Sequence, residues 1–158
     1  MKRVATGIYL VALLFAASWG VSAATRAGVL IPIAVPFALI LIVAARLAGP
    51  QPELIAWAIF TAGLLGSTYL QTRSPIEYGM FLIYLVLAGL GVFKSPYFLA
   101  LAWLFHPVWD FVPRDLPPQL LDLPLACLLY DIPIGLYLLW GARRNRWTPI
   151  RLRAVRAS

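Results

Sequence analysis

Six long apolar segments, separated by very short polar breaks, constrain this chain more than any other feature of its sequence. Each segment is close to the roughly 17–25 residues with which an α-helix crosses a bilayer. Glycine and proline divide them, for example at residues 49–52 and 74–75. The pattern predicts an all-α fold, an integral membrane bundle of six transmembrane helices. The segments cover residues 5–24, 28–47, 53–70, 76–93, 96–112 and 120–140.

The composition excludes an ordinary water-soluble domain. Hydrophobic residues make up 62% of the chain and charged residues 12%, whereas a soluble domain is about half apolar and about a quarter charged. The net charge of +7 does not indicate nucleic-acid binding, because no recognition module accompanies it. The basic excess is instead concentrated after the last apolar segment, in Arg143, Arg144, Arg146, Arg151, Arg153 and Arg156.

The distribution of lysine and arginine predicts the orientation. With the N-terminus inside, ten basic residues fall on the inner side and three on the outer side, which agrees with the positive-inside rule. We therefore expect a six-helix transmembrane domain over residues 1–142 and a basic cytoplasmic tail over residues 143–158, in a bacterial inner membrane. Arg143, Arg144 and Arg146 are predicted to contact anionic lipid head groups.

The first segment has a second interpretation. Lys2-Arg3, the apolar run and residues 21–23 also resemble a secretory signal with its cleavage site. We favour a retained helix because the apolar run is long for a signal.

His106 and Asp131 are the most informative polar residues, because they are ionisable and lie inside predicted spans. With a rise of about 1.5 Å per residue, His106 lies roughly 15 Å and Asp131 roughly 13 Å from the inner boundary. The two residues belong to adjacent antiparallel helices. We therefore predict that the imidazole and the carboxylate contact each other, which would offset the cost of burying both.

Further polar residues extend this pair. Asp110 follows His106 by four residues and shares its helix face, and Glu77 opens the fourth segment on the same outer side. We expect a cavity between the fourth, fifth and sixth helices. As catalytic residues the sequence offers His106, Asp110 and Asp131, with the histidine as general acid or base. As ligands of a divalent metal it offers the same three with Glu77.

Other uses of these residues stay open. His106 and Asp131 are as well suited to locking two helices together by a hydrogen bond. The single cysteine, Cys127, is typical of a small packing residue. One histidine excludes haem held by two histidines but leaves a single-histidine ligand to a pigment open.

Small residues at four-residue spacing predict close helix packing, within the bundle or between copies. We therefore expect a homo-oligomer or a larger membrane complex in contact with lipid, and no nucleic acid. The stripes are Ala12, Ala16, Gly20 and Ala24 in the first segment, and Ala58, Ala62 and Gly66 in the third.

The run from Lys94-Ser95-Pro96 to His106-Pro107-Val108-Trp109-Asp110 resembles small bacterial polytopic membrane proteins of an uncharacterised family. Those proteins carry a similar Ser-Pro, a His-x-x-Trp-Asp run and an acid in the following helix, which Asp131 matches. The likeness covers the C-terminal third. It implies that His106, Trp109, Asp110 and Asp131 are the positions to test, and it implies no activity.

The leading functional hypothesis is a buried His/Asp site on the fourth to sixth helices that binds or transforms a lipophilic or small ligand. An accessory subunit of a larger membrane complex, without catalysis, is the second hypothesis, and a minimal transporter is the third. Whether the protein is an enzyme stays open at this point, as does its cofactor beyond a divalent metal.

Overall fold

The computed structural model describes residues 2–65, 74–112 and 121–150, and within them it confirms the all-α prediction. In these three ranges six α-helices follow one another in the predicted order, and a π-helical turn, Thr61–Leu65, continues the third. The helices are α1 (Lys2–Ala27), α2 (Leu30–Leu47), α3 (Pro50–Phe60), α4 (Pro75–Phe93), α5 (Tyr97–Asp110) and α6 (Leu123–Arg143).

Two glycines make the first two hairpins possible. Gly28 between α1 and α2 has φ +68°, and Gly49 between α2 and α3 has φ +87°. These are left-handed backbone conformations that residues with a Cβ adopt only at a cost. The chain therefore reverses direction within a few residues, and neighbouring helices lie side by side.

Four of the helices in the described part of the chain are long and apolar enough to cross a membrane: α1, α2, α4 and α6. Their outward faces carry large apolar side chains, such as Phe15, Ile40 and Val86, that are more than half exposed. Exposed apolar surface of this extent is typical of contact with lipid. The protein is therefore a membrane protein with candidate transmembrane helices.

The other two predicted spans are shorter as helices. The fourteen residues of α5 reach about 21 Å at 1.5 Å per residue, less than the roughly 30 Å of a hydrocarbon core. The rest of the third predicted span after Leu65, including Gly66, lies outside the described residues. A crossing by these two segments stays a prediction.

The core lies where α3, α5 and α6 meet. Trp57 and Trp103 are fully buried and pack edge to face with ring centroids 5.9 Å apart. The glycine at position 135 lets α5 approach α6, since a Cβ there would overlap the side chain of Leu104. This close approach fixes the position of the polar residues that the two helices carry.

The π-helical turn has a local cause. The Thr61 hydroxyl donates to the Trp57 carbonyl at 2.7 Å, and it accepts from Trp103 Nε1 at 2.9 Å. A hydroxyl that bonds back to the carbonyl four residues earlier competes with the helix hydrogen bonds and distorts the helix. Insertions of this kind are frequent at functional sites, and Leu64 and Leu65 of this turn line the cavity described below.

The small-residue stripe of α1 is divided between two environments. Gly20 lies against the Phe37 ring of α2, which a Cβ would meet at 3.3 Å, and Ala24 is buried. Ala12 and Ala16 face outward. Part of the stripe therefore packs within the bundle.

Candidate functional site

His106 and Asp131 are in direct contact, as the depth argument predicts. His106 Nδ1 lies 2.7 Å from Asp131 Oδ2, and both side chains are at most 1% exposed. A carboxylate oxygen can only accept, so with Asp131 ionised the imidazole donates through Nδ1. Asp131 thereby fixes the orientation of the histidine ring.

The imidazole has further polar and aromatic neighbours. Asp110 Oδ2 lies 3.5 Å from His106 Nδ1, one helical turn further along α5. The Tyr84 ring of α4 meets the imidazole edge to face with centroids 5.5 Å apart. The structure therefore brings the three predicted catalytic residues together, although a catalytic role stays a prediction.

Glu77, the fourth predicted metal ligand, is buried in the first turn of α4. It precedes Tyr84 by seven residues, which is about 10 Å along the helix. Its role as a ligand stays a prediction.

Cys127, expected from the sequence to be a packing residue, is also a candidate metal ligand. One ligand atom from each of His106, Asp110 and Cys127 can be chosen so that all three lie within 4.8 Å of one another, and all three residues are buried. Cys127 comes one turn before Asp131 on α6, so it faces the same side. Sequence spacing could have suggested this, but a lone cysteine in an apolar segment gave no reason to prefer it.

A cavity of about 270 Å³ reaches this pair. It lies between α1, α2, the π-helical turn, α5 and α6, whereas the sequence suggested a cavity between the fourth, fifth and sixth helices. The difference arises because α1 and α2 close one side of the bundle there. The lining includes Ser18, Ser22, Thr25, Arg26, Leu30, Ile33, Phe37, Leu64, Leu65, His106, Leu123, Cys127, Tyr130 and Asp131.

Two polar atoms in the lining residues have no hydrogen-bond partner within the described part of the chain. They are the second carboxylate oxygen of Asp131, Oδ1, and the hydroxyl of Tyr130. Leaving a buried polar atom without a partner costs about 1–3 kcal/mol. An acceptor and a hydroxyl are therefore available to a molecule in the cavity.

A second polar cluster, which sequence reasoning missed, lies at the end of the bundle where α3 begins and α6 ends. We call it the Glu53 cluster: Glu53, Trp57, Tyr137 and Arg146. Glu53 is fully buried, and its Oε2 accepts from Arg146 Nε at 2.8 Å and from a terminal nitrogen of the same guanidinium at 2.7 Å. Its Oε1 accepts from the Tyr137 hydroxyl and from Trp57 Nε1 at 3.5 Å.

Arg146 belongs to the segment predicted as a basic tail, but its side chain is held against the helix bundle by Glu53. Burial disfavours its charge, but the hydrogen bond and the attraction of Glu53 raise the pKa of Arg146 above its ordinary value. Trp147 is buried, and the Ile150 amide donates to the Val92 carbonyl at 2.8 Å. Residues 144–150 therefore pack against the bundle. Lipid contact by Arg143, Arg144 and Arg146 stays a prediction.

A family model for a family of unknown function, DUF6010, matches residues 27–144, three quarters of the chain. The chain belongs to the DUF6010 family. No curated protein matches it, and no solved structure matches it. The uncharacterised family expected from the sequence is consistent with this result, while the His-x-x-Trp-Asp resemblance itself stays a prediction.

The DUF6010 match contains the whole His106 cluster, by which we mean His106, Asp110, Cys127 and Asp131. It also contains Glu53, but it ends before Arg146. The α1 wall of the cavity precedes the matched residues. The buried polar pair is thus part of the region that relates this chain to the DUF6010 family.

Proposed function

We propose that this protein is a multi-pass protein of a bacterial inner membrane, with six spans and both termini in the cytoplasm. The four long apolar helices and the ten-to-three distribution of basic residues support this topology. A reporter enzyme that is active only in the cytoplasm should be active when it is fused after Ser158, and one that is active only in the periplasm should be inactive there. A periplasmic C-terminus would contradict the topology.

We further propose that the His106–Asp131 pair is a binding site for a small or lipophilic ligand. The observation that carries this proposal is the hydrogen bonding of the two Asp131 carboxylate oxygens. One oxygen holds His106, and the other has no hydrogen-bond partner within the described residues although Asp131 lines a cavity. A pair that served only to join α5 and α6 would have no need of the cavity or of a second buried acceptor.

The geometry also indicates how such a site would act on its ligand. Because Asp131 holds the Nδ1 side of the ring, the orientation of the imidazole is set before a ligand arrives. A ligand that donates to Asp131 Oδ1 would lie beside the imidazole, and we propose that His106 exchanges a proton with it. In this proposal the same two residues would serve both binding and chemical transformation.

The test is to extract the purified protein and to identify by mass spectrometry the small molecules and lipids that co-purify. Wild type should retain a species that both His106→Ala and Asp131→Asn lose. Tyr97→Phe is the control, because Tyr97 is half exposed on the same helix and should retain the species. The proposal would be contradicted if all four proteins gave identical extracts while circular dichroism showed that each of them is folded.

A specific observation favours a metal centre as the second candidate. His106, Asp110 and Cys127 offer an imidazole, a carboxylate and a thiol within 4.8 Å of one another, a donor set that suits Zn²⁺. Asp131 would then orient the ligating histidine, as carboxylates commonly do.

Titration with Zn²⁺ followed by metal analysis separates the two candidates. A metal centre should hold about one equivalent of Zn²⁺, and both Cys127→Ser and Asp110→Asn should weaken its retention at least tenfold. Wild-type protein that releases all Zn²⁺ on gel filtration would exclude this candidate.

A further inference from the structure

The α1 wall of the cavity carries a positive charge that the His106–Asp131 site does not use. Ser18, Ser22, Thr25 and Arg26 share one face of α1 and all line the cavity. A terminal nitrogen of Arg26 donates to the Ser22 hydroxyl at 2.7 Å. The guanidinium is therefore drawn back along the helix, toward the cavity wall.

Arg26 differs from the other arginines that have defined partners. Arg146 binds Glu53, and Arg46 lies over the rings of Tyr137 and Trp140, about 6 Å from each centroid. Among the described residues, Arg26 has no carboxylate within ion-pair distance. A guanidinium at a membrane cavity without an anion of its own is suited to bind one from outside.

Helix contacts place Arg26 and Asp131 at different depths of the same cavity. Gly20 of α1 lies against the Phe37 ring, and that ring stacks on Tyr130 at 5.7 Å, so these residues share one level. Arg26 follows Gly20 by six residues, which places its Cα about 9 Å nearer the end of α1. A ligand would thus meet a cation near the mouth and the Asp131 acceptor deeper inside.

The size of the cavity limits what can fill it. A volume of about 270 Å³ is slightly below the roughly 300 Å³ at which the usual range of small-molecule sites begins, so two acyl chains do not fit. Ser18, Ser22 and Arg26 are exposed while they line the cavity. The cavity is therefore open along α1, and a head group inside it can keep its acyl chains in the bilayer.

From these observations we propose that the cavity binds the head group of an anionic, hydroxyl-bearing phospholipid of the phosphoglycerol class. Its phosphate accepts hydrogen bonds from Arg26 and Ser22, since a guanidinium matches phosphate geometry. A head-group hydroxyl donates to Asp131 Oδ1. The proposal gives the ligand class of the His106–Asp131 site and rests on the function proposed above. In the predicted orientation α1 ends at the outer side, so the lipid comes from the outer leaflet.

The experiment uses the full chain in phosphatidylcholine nanodiscs, with lipid binding followed by native mass spectrometry. Phosphatidylglycerol offers both the anion and the hydroxyls, phosphatidic acid offers the anion alone, and free glycerol 1-phosphate offers the head group without a lipid. Phosphatidylglycerol should bind at least tenfold more tightly than phosphatidylcholine, phosphatidic acid should be intermediate, and glycerol 1-phosphate should not compete.

Two variants assign the contacts. Arg26→Gln should lose about tenfold in affinity for both anionic lipids, the effect of one charge-assisted hydrogen bond. Asp131→Asn should reduce the affinity for phosphatidylglycerol to the affinity for phosphatidic acid. Lys94→Gln is the control, an exposed cation at the opposite end of the bundle, and should preserve the difference between the two anionic lipids.

Each alternative outcome has a defined meaning. Binding that depends on Asp131 but not on Arg26 would overturn the head-group assignment and leave the His106–Asp131 ligand site standing. Binding that depends on Arg26 but not on Asp131 would also overturn the lipid proposal, because the lipid would then not occupy the His106–Asp131 site; that site is tested on its own by the co-purification experiment above. Competition by glycerol 1-phosphate at the affinity of the lipid would overturn the lipid as the source of the head group.

Discussion

The Glu53 cluster and the His106 cluster each contain a buried carboxylate, but the two carboxylates differ in how many of their oxygens are hydrogen-bonded. In each, a fully buried carboxylate joins α6, or the chain just after it, to another helix. Both oxygens of Glu53 are occupied, by a guanidinium, a phenol and an indole. Asp131 has one occupied oxygen and one without a hydrogen-bond partner in the described chain, next to a cavity. Glu53 therefore belongs to a saturated ion pair, whereas Asp131 belongs to a cluster with an unused acceptor.

The difference has energetic consequences. Removing one partner of a buried ion pair leaves an uncompensated charge and destabilises a protein by about 3–5 kcal/mol, whereas replacing both by apolar groups is often neutral. A saturated cluster should therefore be sensitive to single substitutions. A cluster with an unused acceptor already carries a cost in the folded state, so its removal should affect binding more than stability.

The largest expected effect is on the Glu53 cluster. Arg146→Met should lower the free energy of unfolding by about 3 kcal/mol, because it leaves the fully buried Glu53 carboxylate without its cation. Unfolding in mixed micelles of increasing SDS content, followed by circular dichroism, measures this change. Arg144→Met, at an exposed position two residues earlier, is the control. An equal, small effect of both substitutions would show that the cluster is not a structural lock.

The next effect concerns the contact that sets the geometry of the His106 cluster. Gly135→Ala should destabilise the protein by about 1–2 kcal/mol, since a Cβ would overlap the Leu104 side chain of α5. Gly89→Ala has open space around the added Cβ and should be neutral or slightly stabilising. The same SDS titration compares the two. A neutral Gly135→Ala would mean that α5 and α6 are free to adjust, so that backbone packing does not impose the His106–Asp131 distance.

A smaller stability effect is expected when the His106 pair is removed entirely. The double variant His106→Leu/Asp131→Val should stay within about 1 kcal/mol of wild type, because both charged or polar partners leave together. It should nevertheless lose the ligand that wild type retains, as judged by mass spectrometry of the extract. A loss of stability as large as that of Arg146→Met would remove the distinction between the clusters.

The smallest effect concerns pH. The pKa of Arg146 is raised above its ordinary value in the folded protein by Glu53. Its stabilising contribution is therefore complete below the unfolded pKa and is lost only as pH rises through the still higher folded value. The difference in unfolding free energy between wild type and Arg146→Met should not change between pH 7 and pH 10. A difference that shrinks over this interval would show that another titrating group supports Glu53.

The lengths of the apolar segments and the breaks between them were sufficient to predict the all-α fold and the order of its described helices. The second and fourth segments, 28–47 and 76–93, agree with α2 and α4 within two residues at each end. The His106–Asp131 contact was also predictable, because two adjacent antiparallel helices allow depth to be counted from a shared boundary. The sequence of two helices is enough to predict a contact between them when those helices follow each other directly in the chain.

The remaining features depend on contacts that no local pattern contains. Glu53 in a first helical turn is ordinarily explained by the helix dipole, and its partner Arg146 lies 93 residues away. The cavity was expected among the last three helices. Its α1 wall was missed because α1 has almost no polar asymmetry beyond Ser18, Ser22 and Arg26, which look ordinary in isolation.

The most direct test of the account observes the single histidine of the chain. Protein labelled with ¹⁵N-histidine gives the signals of one imidazole, so its tautomer can be assigned without ambiguity in nanodiscs. We predict a proton on Nδ1, held by Asp131, in wild type, and loss of that hydrogen-bonded state in Asp131→Val. An imidazole without a proton on Nδ1, or one unchanged when Asp131 is replaced, would contradict the claim that this carboxylate orients His106 at the cavity.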